Sequence, residues 1–430
     1  MALTIDQAKE AKKASIKLSA LNTGVKNSAL EEIRFLLKEK SHEIFAANKS
    51  DDETSEKNKL ALPLLKRLKF DEKKLHDVIE GIESLIKLPD PIGATLSSTE
   101  LDKGLELYKV SCPIGVIGMI FESRPDALVQ ISSLCLKSGN SVLLKGGSEA
   151  LNTNRVLTSI ISEATEKAGI PKGWIQLLET RSEVNEMLKM DKYIDLIVPR
   201  GSNEFVKYIM DNSSIAVLGH ADGICHVYID KDADIEMAVK VAVDSKIQYV
   251  AVCNAAETFL VHEKIASVFL PVLKENLEKY NVEIRGCEKT RKIINVKEAT
   301  DNDWRAEYLD YIVSIKIVKS ADEAIDHINT FGSGHTDSIV TSDKEIAKKF
   351  MDLVDSANVF WNCSTRFSDG FRYGLGAEVG VSTNKIHARG PVGLEGLVIY
   401  KWKLIGNGNI VADYASGKNH FIHKKLNKKI

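Results

Sequence analysis

The stretch SVLLKGGSEALNTNRVLTSIISEATEKAGIPKGWIQLLET, residues Ser141–Thr180, alternates between two kinds of apolar pattern. A short apolar run and a Gly-Gly turn precede a segment with apolar residues at helical spacing, and a second short run, WIQLL, follows it. Short strands separated by a helix of this length are typical of a βαβ unit. The rhythm continues through YIDLIV and the helix NEFVKYIMDN, so we predict a parallel sheet with helices on both faces and ligands at its carboxyl ends.

The segments on either side of this block complete the predicted architecture. Strands and helices alternate again from ICHVYID to DSIVTSD, which predicts a second α/β domain. The first 90 residues are predicted to be helical, with a helix behind a capping box of Ser28 and Glu31 and with the polar run 51–59, DDETSEKNK, as a loop. The segment 397–414 has strand composition around an Asn-Gly turn signal, which predicts a strand pair of the kind that often forms an oligomer contact.

The composition excludes several classes of protein. The 430 residues carry 58 Lys and Arg against 60 Asp and Glu, and the only dense basic run is the C-terminal HKKLNKK, so nucleic-acid binding is not expected. The N-terminus has no apolar core of signal-peptide length, and no window approaches the roughly 18 apolar residues of a membrane span. We therefore expect a cytoplasmic protein that does not contact membranes.

The six cysteines do not form a recognisable metal or disulfide pattern. They are scattered without CxxC spacing or a nearby pair of histidines, so we expect reduced thiols and no metal site. One of them, Cys253, lies in QYVAVCNAAETFLV between two apolar runs. A helix N-terminus at this junction could lower the thiol pKa, and backbone N–H groups at the same turn could bind an oxyanion. The local sequence alone favours a buried, unreactive thiol, because free cysteine is mostly a small buried apolar residue.

Two strand ends have the composition of phosphate-binding turns. PRGSNEF, Pro199–Phe205, places a Gly-Ser turn where a helix begins, and exposed backbone N–H groups at such a turn bind phosphate. LLKGGSE, Leu143–Glu149, offers Lys145 to a ribose or a phosphate. Neither loop contains GxGxxG, so the usual dinucleotide fingerprint is absent, and PRGSNEF is equally compatible with an ordinary helix cap.

Several glycine-flanked loops also carry histidine or arginine. Each such residue alone is usually a solvated surface group, whereas several together could line a pocket for an anion, because arginine binds phosphate and carboxylate with two hydrogen bonds. The residues concerned are His220, His335, Arg366, Arg372, His387 and Arg389.

Longer motifs identify a family. They are FESRPDA (121–127), LKSGNSVLLKGG (136–147), VPRGSN (198–203), LGHADGICHVYID (218–230), CNAAET (253–258) and the segment 364–397, which includes HARGPVG. Together they resemble the γ-glutamyl phosphate reductase family, a branch of the aldehyde dehydrogenase superfamily also called glutamate-5-semialdehyde dehydrogenase. The resemblance extends over essentially the whole chain, and the HADG motif and the C-terminal segment are specific to this branch.

The resemblance implies an aldehyde dehydrogenase-like α/β fold in three parts. A Rossmann-like NADP-binding domain would comprise residues 1–97 and 115–224, and an α/β catalytic domain residues 225–397. A small β oligomerisation flap would comprise residues 98–114 and 398–417, which implies a dimer or a tetramer. Members of the superfamily bind NAD(P) without GxGxxG, which accounts for its absence here.

The implied reaction is the NADPH-dependent reduction of L-glutamyl 5-phosphate to L-glutamate 5-semialdehyde and phosphate, the second step of proline synthesis from glutamate. Cys253 would attack the acyl phosphate, and the resulting thioester would accept hydride. The chain contains no kinase domain, so a separate glutamate 5-kinase would supply the substrate and is a possible contact partner.

The resemblance also implies roles for individual residues. Cys253 and Asn254 would be catalytic, with the backbone N–H of Cys253 at the oxyanion. The implied substrate ligands are Ser123, Arg124, His220, Arg366, Arg372 and Arg389. The implied cofactor ligands are Lys145, Ser148, Gly201, Ser202 and Glu307. Which arginine binds phosphate and which binds the α-carboxylate stays open.

Two departures from the wider superfamily refine the expected chemistry. Val217, in the motif Val217–Ala221, stands where hydrolytic members carry the glutamate that activates water, so the thioester is expected to escape hydrolysis. Ser148 stands where a glutamate holds a ribose diol, which favours NADP, although the adjacent Glu149 opposes this preference. Two alternatives remain: an aldehyde-oxidising dehydrogenase, disfavoured by Val217, and a silent nucleotide-binding member, disfavoured by the intact motif around Cys253.

Overall fold

The N-terminal region of the chain is helical and leads into an antiparallel strand pair. The computed structural model describes residues 2–60, 62–180, 182–220 and 222–430, so Ala221 of the HADG motif lies outside the described residues. The first elements are α1 (Ala2–Leu18), α2 (Thr23–Glu39), α3 (Ser41–Lys57), α4 (Leu62–Leu68), α5 (Glu72–Lys87), β1 (Thr95–Asp102) and β2 (Leu105–Pro113). Within the described ranges, no helix has both the length and the apolar character that a membrane span requires.

The opening stretch of sequence lies in the first parallel sheet. Its elements are β3 (Val116–Phe121), α6 (Pro125–Lys137), β4 (Ser141–Lys145), α7 (Leu151–Lys167), β5 (Ile175–Leu178), α8 (Ser182–Met187), β6 (Leu196–Arg200) and α9 (Asn203–Asn212). The strands pair in the order β5-β4-β3-β6. Alternate residues of β3 enter two different apolar cores: Met119 packs on the α6 and α7 face, whereas Ile120 packs on the α8 and α9 face. Both faces are therefore covered, as the apolar strand pattern predicts.

The second parallel sheet contains the remaining α/β elements. They are β7 (Cys225–Ile229), α10 (Ile235–Ile247), β8 (Ala256–His262), α11 (Glu263–Glu278), β9 (Glu283–Gly286), α12 (Glu288–Arg291), β10 (Lys297–Glu298), β11 (Ile312–Val318), α13 (Ala321–Phe331), β12 (Thr336–Val340), α14 (Lys344–Leu353) and β13 (Asn358–Trp361). The strands pair in the order β10-β9-β11-β8-β7-β12-β13. Consecutive residues of the central strands again enter opposite cores, because Val227 and Tyr228 of β7 lie in separate apolar clusters.

A third, antiparallel sheet joins the strand pair β1 and β2 to the C-terminal strands. The last elements are β14 (Gly380–Ser382), β15 (Gly390–Val392), β16 (Val398–Ile405), α15 (Val411–Ala415) and β17 (Lys424–Leu426). The sheet has the order β16-β2-β1-β17, with Val398 opposite Pro113 and Ile405 opposite Glu106. The outer strand β16 exposes apolar side chains, namely Ile399, Tyr400, Trp402, Leu404 and Ile405.

Three local predictions are wrong. Helix α2 begins at Thr23, and the Asn22 side chain accepts a hydrogen bond from the Val25 N–H, so Ser28 lies inside the helix instead of capping it. The polar run 51–59 is helical up to Lys57, because α3 buries a narrow stripe of small and polar residues that has no apolar signature. The Asn-Gly signal does not form a hairpin: β16 pairs with β2, and the residues after the turn form α15.

Candidate active site

Cys253 lies in a cavity between the two parallel sheets. The turn that carries it precedes β8, and the loops before β7 and β12 meet it, because these three strands are neighbours in the sheet. The carboxyl ends of β3 and β6 face this turn and contribute Glu122 and Arg200. The cavity measures about 380 Å³. The first sheet therefore offers its carboxyl ends to the site, as predicted, whereas the second offers its amino ends.

The Cys253 turn packs directly against the glycine of the HADG motif. A Cβ on Gly223 would lie 2.2 Å from the Cys253 carbonyl oxygen and 2.6 Å from the Cys253 Cβ. No other residue can occupy this position without displacing the turn. The same carbonyl oxygen accepts a hydrogen bond from the Cys225 thiol at 3.1 Å. Gly223 and Cys225 thus fix the position of the Cys253 main chain.

The Cys253 thiol is protonated in the free protein. Burial, followed by the nearby Glu307 and Glu378 carboxylates, raises the pKa of Cys253 to about 12. The turn is followed by a strand, so the helix N-terminus that was considered from the sequence does not act on the thiol. A proton acceptor within the site is needed before Cys253 can attack a substrate.

Two imidazoles lie beside the thiol. The Cys253 sulfur and one ring nitrogen from each of His220 and His335 all lie within 4.8 Å of one another. The two rings meet edge to face, with their centroids 4.9 Å apart. Burial lowers the pKa of both histidines, so both rings are neutral near pH 7. His335 comes from the glycine-flanked loop before β12 and was not among the residues assigned to the site from the sequence.

Four arginines line the Cys253 cavity: Arg67, Arg124, Arg200 and Arg366. The sequence predicts Arg124 and Arg366 as site residues, but not Arg67 or Arg200. Burial, and then the charges of Arg200 and Arg67, lower the pKa of Arg124, which indicates that cations crowd this side of the cavity. Such a cluster favours a bound anion.

The chain matches known proteins over nearly its full length. The sequence model of the aldehyde dehydrogenase family matches residues 2–293. A gamma-glutamyl phosphate reductase from Acetivibrio thermocellus is 69% identical over 98% of each chain. One from Methanococcoides burtonii is 55% identical over 100% of this chain and 99% of its own. This chain belongs to the gamma-glutamyl phosphate reductase family.

Solved structures agree with this assignment. The crystal structure of a family member from Thermotoga maritima, 43% identical, gives a TM-score of 0.93 and covers 95% of this chain and 99% of its own. An acetylating aldehyde dehydrogenase from Geobacillus thermoglucosidasius, 17% identical, gives a TM-score of 0.63 with coverage of 95% and 97%, which shows a shared fold alone. The predicted aldehyde dehydrogenase-like fold is confirmed.

Not every substrate ligand implied by the family resemblance lines the cavity. The Arg372 Nη1 donates to the Arg366 carbonyl oxygen at 2.8 Å and so supports the loop that carries Arg366. Arg389 donates to the main chain and carboxylate of Asp355 at 2.9 and 3.1 Å. These two arginines hold neighbouring loops together, and only Arg124, His220 and Arg366 of the predicted substrate ligands lie in the cavity.

Ser123 faces a second cavity, of about 580 Å³, which contains Lys145 and Ser148 and shares Glu122 with the first. The Ser123 N–H and hydroxyl both donate to Glu149 Oε1, at 2.7 and 2.6 Å. These bonds hold Ser123 in a left-handed conformation, with φ 42°. Its hydroxyl proton is therefore engaged by Glu149, and Ser123 does not line the Cys253 cavity.

Most of the predicted cofactor ligands line one of the two cavities. Lys145 is buried, and its Nζ donates to the Gly146 carbonyl oxygen. Gly201 lines the Cys253 cavity, and Ser202 precedes α9 with its N–H on Glu122 at 3.2 Å. A Cβ on Gly201 would lie 2.9 Å from Glu122 and from Phe205, so glycine keeps this helix terminus open.

Glu307 and Asn254 have structural partners at the site. Glu307 accepts hydrogen bonds from the Asn203 side chain and the Gly223 N–H, and burial raises its pKa. The Asn254 side-chain amide donates to the Ser368 carbonyl oxygen at 2.7 Å. Asn254 therefore anchors the Cys253 turn to the neighbouring loop, which is a positioning role.

Proposed function

We propose that this chain reduces L-glutamyl 5-phosphate to L-glutamate 5-semialdehyde and phosphate, with NADPH as the reductant and Cys253 as the nucleophile. The observation that carries the proposal is the joint placement of Cys253 and four arginines in one cavity that adjoins the Lys145 cavity. Membership of the gamma-glutamyl phosphate reductase family supports the choice of substrate.

In the first step the Cys253 sulfur attacks the C5 carbonyl carbon of the acyl phosphate. The thiol proton passes to a neutral imidazole, His220 or His335, the two bases within 4.8 Å. The C–O bond to phosphate then breaks, which leaves a thioester on Cys253. Backbone N–H groups at the turn hold the oxyanion, and Gly223 keeps that turn in place.

The arginines hold the two anionic ends of the substrate. The phosphate and the α-carboxylate both require cations, and Arg124, Arg200 and Arg366 supply them from different elements around Cys253. Arg366 is oriented by its Nε, which donates to Gln248 Oε1 at 2.9 Å. Binding of both anionic ends would place the C5 carbonyl in the cavity that Cys253 lines.

The residues around the second cavity fit a dinucleotide. The two adjoining cavities, of about 580 and 380 Å³, offer space for its two halves, and α9 begins where they meet. Lys145 and the N-terminus of α9 would hold the phosphates and a ribose, while Glu307 would hold the second ribose. When bound, the reduced nicotinamide supplies hydride to the thioester carbon. The Cys253 sulfur then leaves as thiolate and recovers its proton from the imidazole.

The position of Val217 protects the thioester from water. Its side chain is 9% exposed and packs in the apolar core with Ile197, outside the Cys253 cavity. The position that carries a water-activating glutamate in hydrolytic relatives thus offers no base here. Phosphate, as nucleophile in the reverse direction, is the expected acceptor of the acyl group.

We also propose the domain division and assembly that the family resemblance implies. The antiparallel sheet of β1, β2, β16 and β17 would form the oligomer contact, because β16 exposes an apolar face with Tyr400 and Trp402. A separate glutamate 5-kinase would deliver the labile acyl phosphate in the cytoplasm.

A reverse-direction assay tests the reaction. Purified wild type should reduce NADP with glutamate semialdehyde only when inorganic phosphate is present, and Cys253→Ala should be inactive. Cys112→Ala, on β2 of the antiparallel sheet, is the matched control and should keep wild-type activity. Activity retained by Cys253→Ala would refute the nucleophile, and oxidation that proceeds equally without phosphate would indicate a hydrolytic dehydrogenase instead. The same assay with NAD tests the cofactor preference.

A further inference from the structure

We propose that Cys253, His220 and His335 form a binding site for a thiophilic divalent cation such as Zn²⁺, and that an ion bound there reversibly blocks the thiol. The inhibitory consequence rests on the proposed role of Cys253, whereas the binding itself does not. The three residues are far apart in the chain and follow no metal-binding spacing, so only the fold brings them together.

The geometry is close to that of a zinc site. One ligand atom from each residue lies within 4.8 Å of the other two. Zinc–sulfur and zinc–nitrogen bonds of about 2.3 and 2.0–2.1 Å in a tetrahedral site separate the ligand atoms by roughly 3.3–3.6 Å. Separations of up to 4.8 Å must therefore contract by as much as about 1.2–1.5 Å, and rotation of the Cys253 side chain supplies part of this.

In both imidazoles Nδ1 has a hydrogen-bond partner, which leaves Nε2 as the nitrogen available to a metal. The His220 Nδ1 lies 2.9 Å from the Val381 carbonyl oxygen, which can only accept, so Nδ1 carries the proton and Nε2 carries the lone pair. The His335 Nδ1 lies 2.8 Å from the Thr336 hydroxyl, which can accept in the same way. Hydrogen bonds of this type from the far ring nitrogen fix the tautomer of metal-bound histidines.

The His335 Nε2 gives a second, independent indication of a ligand. His335 has no exposed surface, and its Nε2 has no hydrogen-bond partner among the described residues. A buried nitrogen without a partner is destabilising unless a proton donor or a cation meets it. An ion held by all three residues would satisfy this atom and leave one coordination position open toward the cavity for water.

Binding of the ion releases one proton from the protein. The Zn–S bond forms as the Cys253 S–H proton leaves for the buffer, while the two histidines bind as neutral rings. The sulfur is then unavailable to a carbonyl carbon, so the ion competes with acylation. Removal of the ion by a chelator restores the free thiol.

Titration of the full-length protein with CoCl₂ tests the site without turnover. A tetrahedral Co²⁺–thiolate complex should give intense visible bands and a sulfur-to-metal charge-transfer band, at one ion per chain, and ZnCl₂ should remove them. Cys253→Ser should abolish the charge-transfer band, and His220→Asn and His335→Asn should each weaken Zn²⁺ binding tenfold or more. His76→Asn, on the exposed face of α5, is the control and should bind as wild type. Bands that persist in Cys253→Ser would overturn the proposal.

Alkylation of the wild-type protein tests the site without any variant, so the result does not depend on whether a variant folds. Stoichiometric Zn²⁺ should slow iodoacetamide modification of Cys253, followed by peptide mass spectrometry, and EDTA should restore the rate. An unchanged rate would contradict the site. Failure of the proposed function can be distinguished from failure of the metal site. A Cys253→Ser protein that retains reductase activity would refute Cys253 as the nucleophile, while the Co²⁺ spectrum of the wild type would still support the metal site.

Discussion

Replacement of Gly223 by alanine should misplace Cys253 without changing any group that reacts. The new Cβ would lie 2.2 Å from the Cys253 carbonyl oxygen and 2.4 Å from its Cα, both main-chain atoms that cannot rotate away. Ordinary contact begins at 3.4 Å, so the turn must shift by about 1 Å. Because misplacement of a reacting group by this distance costs on the order of 100-fold in rate, we expect a fall of about two orders of magnitude in kcat/KM.

The phosphate-dependent reverse reaction is the assay for Gly223→Ala, with NADP binding measured separately by fluorescence titration. The matched control is Gly219→Ala, in the same segment, whose added Cβ would meet Pro199 at 3.4 Å, an ordinary contact. The kcat/KM of Gly219→Ala should stay within about twofold of the wild-type value. A folded Gly223→Ala protein with wild-type kcat/KM would show that the turn does not need this close contact, and the reasoning would fail.

Three further changes test other parts of the structure. Arg200→Gln should lower kcat/KM by about tenfold to hundredfold, mainly through KM for phosphate in the reverse assay, because a charge-assisted hydrogen bond is lost. Lys246→Met should destabilise the protein by about 3–5 kcal/mol in chemical denaturation, because Glu257, now paired at 2.6 Å with neither side chain exposed, would lose its cation. Burial already raises the pKa of Glu257 to about 7, so the unpaired carboxyl would have to take up a proton on folding. Asp303→Asn should destabilise the protein at neutral pH, and the difference from wild type should begin to shrink only below about pH 4 and should still be substantial at pH 3. Although burial opposes it, hydrogen bonding holds the pKa of Asp303 below its usual value, so this stabilisation is present above about pH 4 and is lost as the pH falls.

Each of these three changes has a control or a contradicting outcome. Arg34→Gln, on the surface of α2, should leave KM for phosphate unchanged. Combining Lys246→Met with Glu257→Gln should restore most of the lost stability, and a single Lys246→Met variant as stable as wild type would contradict the buried-charge argument. An Asp303→Asn difference that does not shrink at all between about pH 4 and pH 2 would show that ionisation of Asp303 does not contribute.

The sequence predicted the periodic elements well because they bury apolar residues at regular intervals. The helix NEFVKYIMDN coincides with α9, and the opening stretch is the β4–α7–β5 unit. The sequence failed where local chemistry was ambiguous. Ser28 has a capping-box partner but lies within a helix that Asn22 had already begun, and α3 packs through small and polar residues. Local signals of this kind compete, and tertiary packing decides among them.

By itself the sequence determined the fold, through apolar periodicity, and the family, through motifs that extend along the whole chain. Only the tertiary structure decided which side chains share a cavity. Arg200 ends β6 and lines the cavity, and His335 precedes β12 and lies beside the Cys253 sulfur; both meet Cys253 because three strand beginnings and two strand ends converge there. The pKa of Cys253 likewise follows from burial and the neighbouring carboxylates, since electrostatic environment depends on distance in space and not on position in the chain.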